Sequence, residues 1–297
     1  MTGAGRGIGR EHALLLAAQG AKVVVNDNGA ETDGTGGDPS RAQKTVDDIV
    51  AAGGQAIANS DSASSWTGAQ RMVNTAIEHF GGLDIVVNNA GILRDRMLTN
   101  MTEEEWDAVI DVHLKGTFAP SRWAAAYWRD RSKAGLPVDG RIISTSSISG
   151  LYGNAGQSNY GAAKAGIAAF TIIAGMELAR YGVTANAIAP IALTRMTENL
   201  GPELSEQQKF LRDPAWVSPV VCWLASPLSK HVTGRVFEAA GSILGIAQGW
   251  TRGPYVEPAF ELRTDPAAIG PIVDRLLAHA TPNTAGIAIP TEYPALD

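Results

Sequence analysis

Along the first 240 residues, short runs of apolar and β-branched residues alternate with stretches of helical periodicity. The runs are AKVVVND (21–27), QAIANSD (55–61), LDIVVNNAG (83–91), GRIISTSS (140–147), VTANAIAP (183–190) and GRVFEAAG (234–241). Turn-forming residues bound them, and such runs mark strands buried on both faces. Between them the spacing predicts helices over 10–19, 41–52, 69–80, 103–128, 159–181 and 214–225, the first closed by Gly20 as a C-cap. Alternating strands and helices predict an α/β fold: a doubly wound parallel sheet of the Rossmann type, with helices on both faces. GRVFEAAG reads as the last strand. From Gly253 onward Pro and Gly are frequent and charges scattered. One domain over 1–252 is therefore expected, followed by an extension over 253–297 with a single helix near 267–280.

The chain opens MTGAGRGIGR, so the pattern T-G-x-x-x-G-x-G spans 2–9. Gly3, Gly7 and Gly9 would let the backbone approach a pyrophosphate, and the helix that follows offers unpaired N–H groups and the positive end of its dipole. Arg6 and Ile8 belong to the same loop. A flexible turn uses the same glycines, so the loop alone is weak. Asp27 strengthens it, ending the next strand eighteen residues after Gly9. A carboxylate there is placed to bond the adenosine ribose hydroxyls; read by itself, Asp27 is equally a turn residue before Asn28-Gly29. Asp61 and Ser62, after the third strand counted from the loop's own, are placed to face the adenine. Arg6 would welcome a 2′-phosphate, but Asp27 sits nearer that position and repels it. NAD is favoured over NADP. A glycine loop of this kind follows a central strand, yet only Met1 precedes it. The expectation is that the functional protein starts upstream and that the first strand is missing from this chain, Met1 standing where a strand-end valine would suit.

The second constellation is Tyr160-Gly-Ala-Ala-Lys164, with Ser147 thirteen residues before the tyrosine. On a helix, positions i and i+4 share a face, so the ammonium lies beside the phenol. Tyrosine ionises near pH 10 in water. A neighbouring Lys164 and a cationic nicotinamide would favour the phenolate. Ser147 ends a strand just before this helix, so its hydroxyl can hold a substrate oxygen while Tyr160 moves the proton. A surface Tyr–Lys pair would show the same spacing. The strand-end serine, the glycine loop and the order of elements set this one apart.

Composition narrows the classes. Charged residues are 18% of the chain, below the roughly 25% usual for soluble domains, which suggests surface buried between subunits. The net charge of −6 gives no electrostatic case for nucleic acid or an anionic membrane. Cys222 is the only cysteine, excluding an intramolecular disulfide and a multi-thiolate metal site. His12, His79, His231 and His279 have no metal-ligand spacing, and no metal is expected. The longest uncharged stretch, 142–163, is too rich in Ser, Asn and Gly to span a membrane. With no signal peptide, a cytoplasmic location is the default.

TGAGRGIG, the strand ending in Asn88-Asn89-Ala90-Gly91, Ser147, and Tyr160 with Lys164 together resemble the short-chain dehydrogenase/reductase family, over about 1–250. The resemblance implies a single Rossmann-type domain, a nicotinamide cofactor, hydride exchange with a carbinol carbon, and a homodimer or homotetramer paired through long helices. It also implies that Asn89, Ala90 and Gly91 line the cofactor site. VVVND, NNAGILRDR, VHLKGTF, YGNAGQSNYGAAK, TRMT and the residues past 250 are most similar to the (3R)-hydroxyacyl-CoA dehydrogenase domain of peroxisomal multifunctional enzymes and their bacterial relatives. That implies an acyl-CoA substrate, with a steroid-like alcohol as an alternative. The ending PALD is no peroxisomal address, which suits a free-standing bacterial-type enzyme.

Two positions depart from the family pattern. VHLKG carries His113 where most members have an asparagine that holds a relay water. Either the backbone carbonyl serves there or the imidazole takes a direct part; a structural histidine fits as well. Pro190-Ile191 replaces Pro-Gly, leaving Ile191 and Thr194 as candidate contacts for the nicotinamide amide. Arg94, Asp95 and Arg96 read as a solvated loop pair, or as contacts for a substrate phosphate. The segment between Pro190 and Trp216 is a candidate lid, with Met196, Leu200, Leu204, Phe210 and Leu211 apolar. Two other functions compete: an NADPH-dependent 3-oxoacyl-carrier-protein reductase, favoured by Arg6 and opposed by Asp27, and a non-catalytic nucleotide-sensing protein, opposed by the intact Ser147, Tyr160 and Lys164.

Overall fold

The computed structural model describes residues 1–194, 204–250, 252–256 and 269–280. In chain order, α1 (Gly7–Ala18), β1 (Lys22–Asn26), α2 (Ser40–Ala51), β2 (Gln55–Asn59), α3 (Trp66–Phe80) and β3 (Ile85–Asn88) form the first part. Next come α4 (Glu103–Ile110), a π-helical turn (Asp111–Lys115), α5 (Gly116–Lys133), β4 (Gly140–Thr145), α6 (Ile148–Tyr152), α7 (Ser158–Leu178) and β5 (Val183–Pro190). The remainder is α8 (Glu206–Leu211), α9 (Ser218–Ala225), β6 (Val236–Ala240), β7 (Ile243–Ala247) and α10 (Ile269–His279). Local chemistry sets several boundaries. The Ser65 hydroxyl caps α3, and Gly81 ends it with φ 85°, a conformation that favours glycine. Thr102 and Glu105 close a capping box at the start of α4.

β3, β4, β5 and β6 run parallel in that order, and β1 pairs parallel with β2. β4 is buried at every position, as a strand covered by helices on both faces must be. One core layer joins the sheet to α1 and α9 through Leu16, Val25, Ile188 and Leu224. The other packs Trp128, Ile142 and Ala174 on the opposite face. By length and hydropathy, α7 with the turn that follows it (158–181) could cross a membrane. Here it is the crossover between β4 and β5, with Ala163, Lys164 and Ile167 buried on its inner side.

Some sequence expectations need correction. GRVFEAAG is not the last strand: β7 returns antiparallel to β6 at the sheet edge, and its half-exposed pattern hides it from a search for continuous buried runs. The short helices α6 and α8 fall below the length that periodicity detects. The helix expected over 103–128 reaches Lys133 and contains the π-helical turn, while the one over 214–225 begins as a 3-10 turn at Pro214–Val217. Of the extension, 257–268 and 281–297 lie outside the described residues, as do Met196 and Leu200 of the candidate lid. The described part of the tail carries α10, and positions 267 and 268 of the expected helix lie outside the described residues.

Between β1 and β3, where the expected first strand would lie, the sheet is divided. Only its carboxyl end is bridged by the opening residues. Thr2 N–H donates to the Val87 carbonyl at 3.0 Å, Ala4 N–H to the Asn26 carbonyl at 2.9 Å, and Asn26 N–H to the Met1 carbonyl at 3.0 Å. Below them lies a cavity of about 530 Å3, walled by Val23, Val24, Ile85, Val86, Met72 and Phe80 among others. The Met1 ammonium is buried there, donating to the Val24 carbonyl at 3.0 Å, and burial lowers its pKa to about 6.

Candidate active site

The site lies at the carboxyl edge of the parallel strands, where open α/β sheets bind ligands. The glycine loop is tied into it from two sides. The Thr2 hydroxyl accepts from Asn89 N–H at 3.0 Å and from Ala90 N–H at 3.1 Å. The Asn89 amide donates to the Gly3 carbonyl at 3.0 Å. An added Cβ at Gly9 would stand 2.1 Å from that carbonyl oxygen, and one at Gly3 2.8 Å from Ala90 Cα. Both glycines are therefore dictated by close approach. Gly7 is dictated instead by its φ of 56°.

A cavity of about 230 Å3 opens above this loop. Gly3, Arg6, Gly7, Ile8, Asp27, Asp61, Ser62, Asn89, Ala90, Gly91 and Thr194, all expected from sequence, line it. Gly9 packs beneath the loop instead, and Tyr160 and Lys164, also expected to touch the cofactor, are not in the lining, nor is Ile191, which sits among Ile148, Leu151 and Tyr152. Asp27 Oδ2 accepts from Gly5 N–H at 2.9 Å and Oδ1 from Gly29 N–H at 2.7 Å. The carboxylate thus braces the loop while facing the cavity. Arg6 donates to the Ala30 carbonyl at 2.5 Å and lies 3.7 Å from Glu31, both of which line the same cavity. Burial raises the Asp61 pKa, but hydrogen bonds from Arg71 and Asn59 outweigh it, so the carboxyl ends below its usual range.

Ser147, Tyr160 and Lys164 come together beside this cavity. Ser147 caps α6, its hydroxyl accepting from Ser149 N–H at 3.1 Å. Lys164 Nζ lies 5.4 Å from the centre of the Tyr160 ring and donates to the Thr145 carbonyl at 2.6 Å. Burial pushes the Tyr160 phenol up to about 12, with Ser147 lowering it and Asp95 raising it. Burial alone brings Lys164 down to about 7.

His113 lies in the π-helical turn, a bulge that recurs at functional sites. Its ring stands edge-on to Tyr160, with centres 5.1 Å apart. Nε2 is 2.7 Å from the Ile92 carbonyl and 3.1 Å from Ile92 N. The buried Nδ1 has no partner among the described residues, and a Cβ on Gly91 would strike the ring at 2.4 Å. Burial brings this histidine down to about 3.

Sequence reasoning missed several supports. Buried Asn159 anchors the start of α7, donating to the Arg94 carbonyl at 3.0 Å and the Glu105 carbonyl at 3.1 Å. Gln157 donates to Asp95 at 2.8 Å. Arg94, Asp95 and Arg96 are not paired with one another: Arg94 Nε donates to the Asp33 carbonyl at 2.8 Å, and Arg96 pairs with Glu105 at 3.0 Å. Among the described residues, no group of three or more acidic, His or Cys side chains is arranged for a metal.

A glycine cradle at the switch edge of a parallel sheet, beside a Ser–Tyr–Lys cluster, defines an oxidoreductase that acts on CH–OH groups with a nicotinamide dinucleotide. Residues 1–205 match the short chain dehydrogenase family, and the chain belongs to it. It is 48% identical over 250 residues to a hydroxyacyl-CoA dehydrogenase of Mycobacterium tuberculosis, covering 81% of this chain and 76% of that protein. It is 43% identical over 241 residues to a peroxisomal hydratase-dehydrogenase-epimerase of Neurospora crassa. That match covers 81% of this chain but only 26% of the longer protein. A crystal structure of a short chain dehydrogenase from Mycobacterium avium superposes with a TM-score of 0.86 at 53% identity, covering 97% of each chain.

Proposed function

We propose that this enzyme uses NAD to interconvert a (3R)-hydroxyacyl-CoA and its 3-oxoacyl-CoA. The observation that carries the chemistry is the Ser147–Tyr160–Lys164 cluster against the dinucleotide cavity. The relatives favour the acyl-CoA, and the Asp27 carboxylate facing that cavity favours NAD over NADP. A nicotinamide dinucleotide held by the glycine loop at Gly3 and Gly7, by Asp27 and by Asn89 would supply the hydride acceptor for the carbinol carbon.

The chain's own residues handle the proton. Ser147 holds the substrate oxygen, and Tyr160 takes the hydroxyl proton in oxidation and returns it in reduction. Ionising a phenol with pKa about 12 at pH 8 costs roughly 5 kcal/mol, at 1.36 kcal/mol per unit. That cost is offset by pairing. Burial disfavours the charged form of each group separately, so forming phenolate and ammonium together lowers the one pKa and raises the other. Lys164 is the only cation placed over the Tyr160 ring among the described residues. Asn159 and Thr145 fix the helix and the ammonium that this pairing requires. His113 holds the Gly91 loop and packs at right angles against the Tyr160 ring.

Trp66, Phe118, Ile172, Ile173 and Met176 are exposed apolar residues on α3, α5 and α7. They support pairing with a second copy of the chain. The functional reading is tested by nicotinamide absorbance over a panel of acyl-CoA thioesters, steroid alcohols and simple secondary alcohols. Fastest turnover is expected for a 3-hydroxyacyl-CoA with NAD. Preference for NADP, or for a steroid over every thioester, would overturn it.

A further inference from the structure

The loop between β1 and α2 forms one wall of the dinucleotide cavity, through Asn28, Ala30, Glu31, Thr32 and Gly34. Two arginines from different elements converge on it. Arg6, in the glycine loop and itself in the cavity wall, donates from Nη2 to the Ala30 carbonyl. Arg41, from α2, donates from Nη1 to the same carbonyl at 3.1 Å. Both guanidiniums then meet one carboxylate. Glu31 Oε1 accepts from Arg41 Nη2, and Oε2 stands 3.7 Å from Arg6 Nη1. Arg41 has a second counter-charge, since its Nε lies 3.7 Å from Asp38. For Arg6, Glu31 is the carboxylate within ion-pair distance among the described residues. The Arg6 Nη1 is buried and makes no hydrogen bond among those residues, so a donor on the cavity wall is balanced by charge alone. Asp27 faces the same space, its two oxygens already accepting from Gly5 and Gly29 N–H.

We propose that Glu31 is a specificity residue for the cofactor: it occupies Arg6 and Arg41, and so denies a 2′-phosphate the pair of guanidiniums that would clamp it. The inference rests on the NAD reading above and goes past Asp27, which repels the phosphate directly. Guanidiniums bind carboxylate and phosphate through the same forked geometry. Two of them gathered on one carbonyl make a place for an anion, and Glu31 fills that place from within the chain. Its charge also weakens the field that an approaching phosphate meets. Discrimination of this kind acts against NADP and needs no added contact to NAD.

Calorimetric titration with adenosine 2′,5′-bisphosphate and with 5′-AMP reads the 2′ position without turnover. Glu31→Gln keeps the length of the side chain and an acceptor for Arg41, and removes the charge. It should tighten the bisphosphate about tenfold relative to 5′-AMP, the worth of one hydrogen bond to a charged group. The NADP-to-NAD ratio of kcat/KM should move the same way, through KM. Adding Arg6→Ala to Glu31→Gln should abolish the gain, because the guanidinium released is the one in the cavity wall. An unchanged preference between the two nucleotides in Glu31→Gln, or a gain that survives Arg6→Ala, overturns the proposal. Equal weakening of both nucleotides overturns it too, since Glu31 would then only brace the loop. The wild-type NAD-to-NADP ratio reports separately on the NAD reading: a preference for NADP there defeats that reading whatever Glu31→Gln does.

Discussion

Alanine at Gly9 would set its Cβ 2.1 Å from the Gly3 carbonyl oxygen, 2.5 Å from Asn89 Nδ2 and 2.9 Å from the Gly3 carbonyl carbon. Nothing there is the free end of a flexible side chain: two of the three atoms are backbone, and the third belongs to the amide bonded to Gly3. Relief requires the loop to move away from β3 by about an ångström, which breaks that hydrogen bond. Overpacking of this kind costs about 1–3 kcal/mol, and the lost hydrogen bond about 1 kcal/mol more. The sum, roughly 2–4 kcal/mol, corresponds to a melting temperature lower by about 3–6 °C in a chain of this size. Alanine at Gly7 meets the Thr194 side chain at 3.7 Å, an ordinary van der Waals contact. It carries instead the cost of a left-handed backbone, about 1–2 kcal/mol. Thermal unfolding of both variants, with NAD titrated by fluorescence, separates the two effects. Gly9→Ala should melt lower than Gly7→Ala and bind NAD at least tenfold more weakly than wild type. A Gly9→Ala protein that melts within about 2 °C of wild type and keeps its NAD affinity would refute the reasoning.

Tyr160→Phe should lower kcat by about three orders of magnitude or more while NAD affinity stays within a few fold, since only the transferable proton is lost; steady-state rates beside a binding titration check this. Asp27→Ala should weaken NAD binding and narrow the preference over NADP at least tenfold, although the loop contact to Gly5 is lost with it; paired kcat/KM values decide, and an unchanged NAD-to-NADP ratio contradicts the assignment. His12 and His113 both titrate near 3 in the folded protein against 6.5 when free. The unfolded chain therefore binds protons first, and stability present above pH 6.5 is lost as pH falls toward 3, by up to about 4–5 kcal/mol per histidine. Melting curves from pH 7 to 4 should show a steep fall, and a flat profile would contradict the burial of these rings.

Much of the site was legible in the sequence because its parts are local. Tyr160 and Lys164 stand one helical turn apart, so their shared face follows from periodicity. Asp27 and Asn89 end strands, and strand ends in a parallel sheet converge on one edge whatever the loops do. Residues that depend on long loops were not legible. Gln157 and Asp95 are separated by 62 positions, and nothing in either segment marks the other. The π-helical turn at His113 adds one residue to a turn without disturbing the apolar pattern on either side, so a single helix over 103–128 was the natural reading. Ile191 follows a strand end, yet its side chain packs beside Tyr152 and Leu151, away from the dinucleotide cavity. Strand β7 escaped because an edge strand needs burial on one face only.

The central claim is the reaction itself, and the hand of the substrate tests it most directly. The protein is incubated with NAD and, separately, (3R)- and (3S)-hydroxyacyl-CoA of matched chain length, and reduced nicotinamide is followed by absorbance. The account predicts oxidation of the (3R) thioester, little or none of the (3S), and loss of the signal in Tyr160→Phe. Oxidation of the (3S) form alone, or of neither thioester while a steroid alcohol turns over, would contradict it.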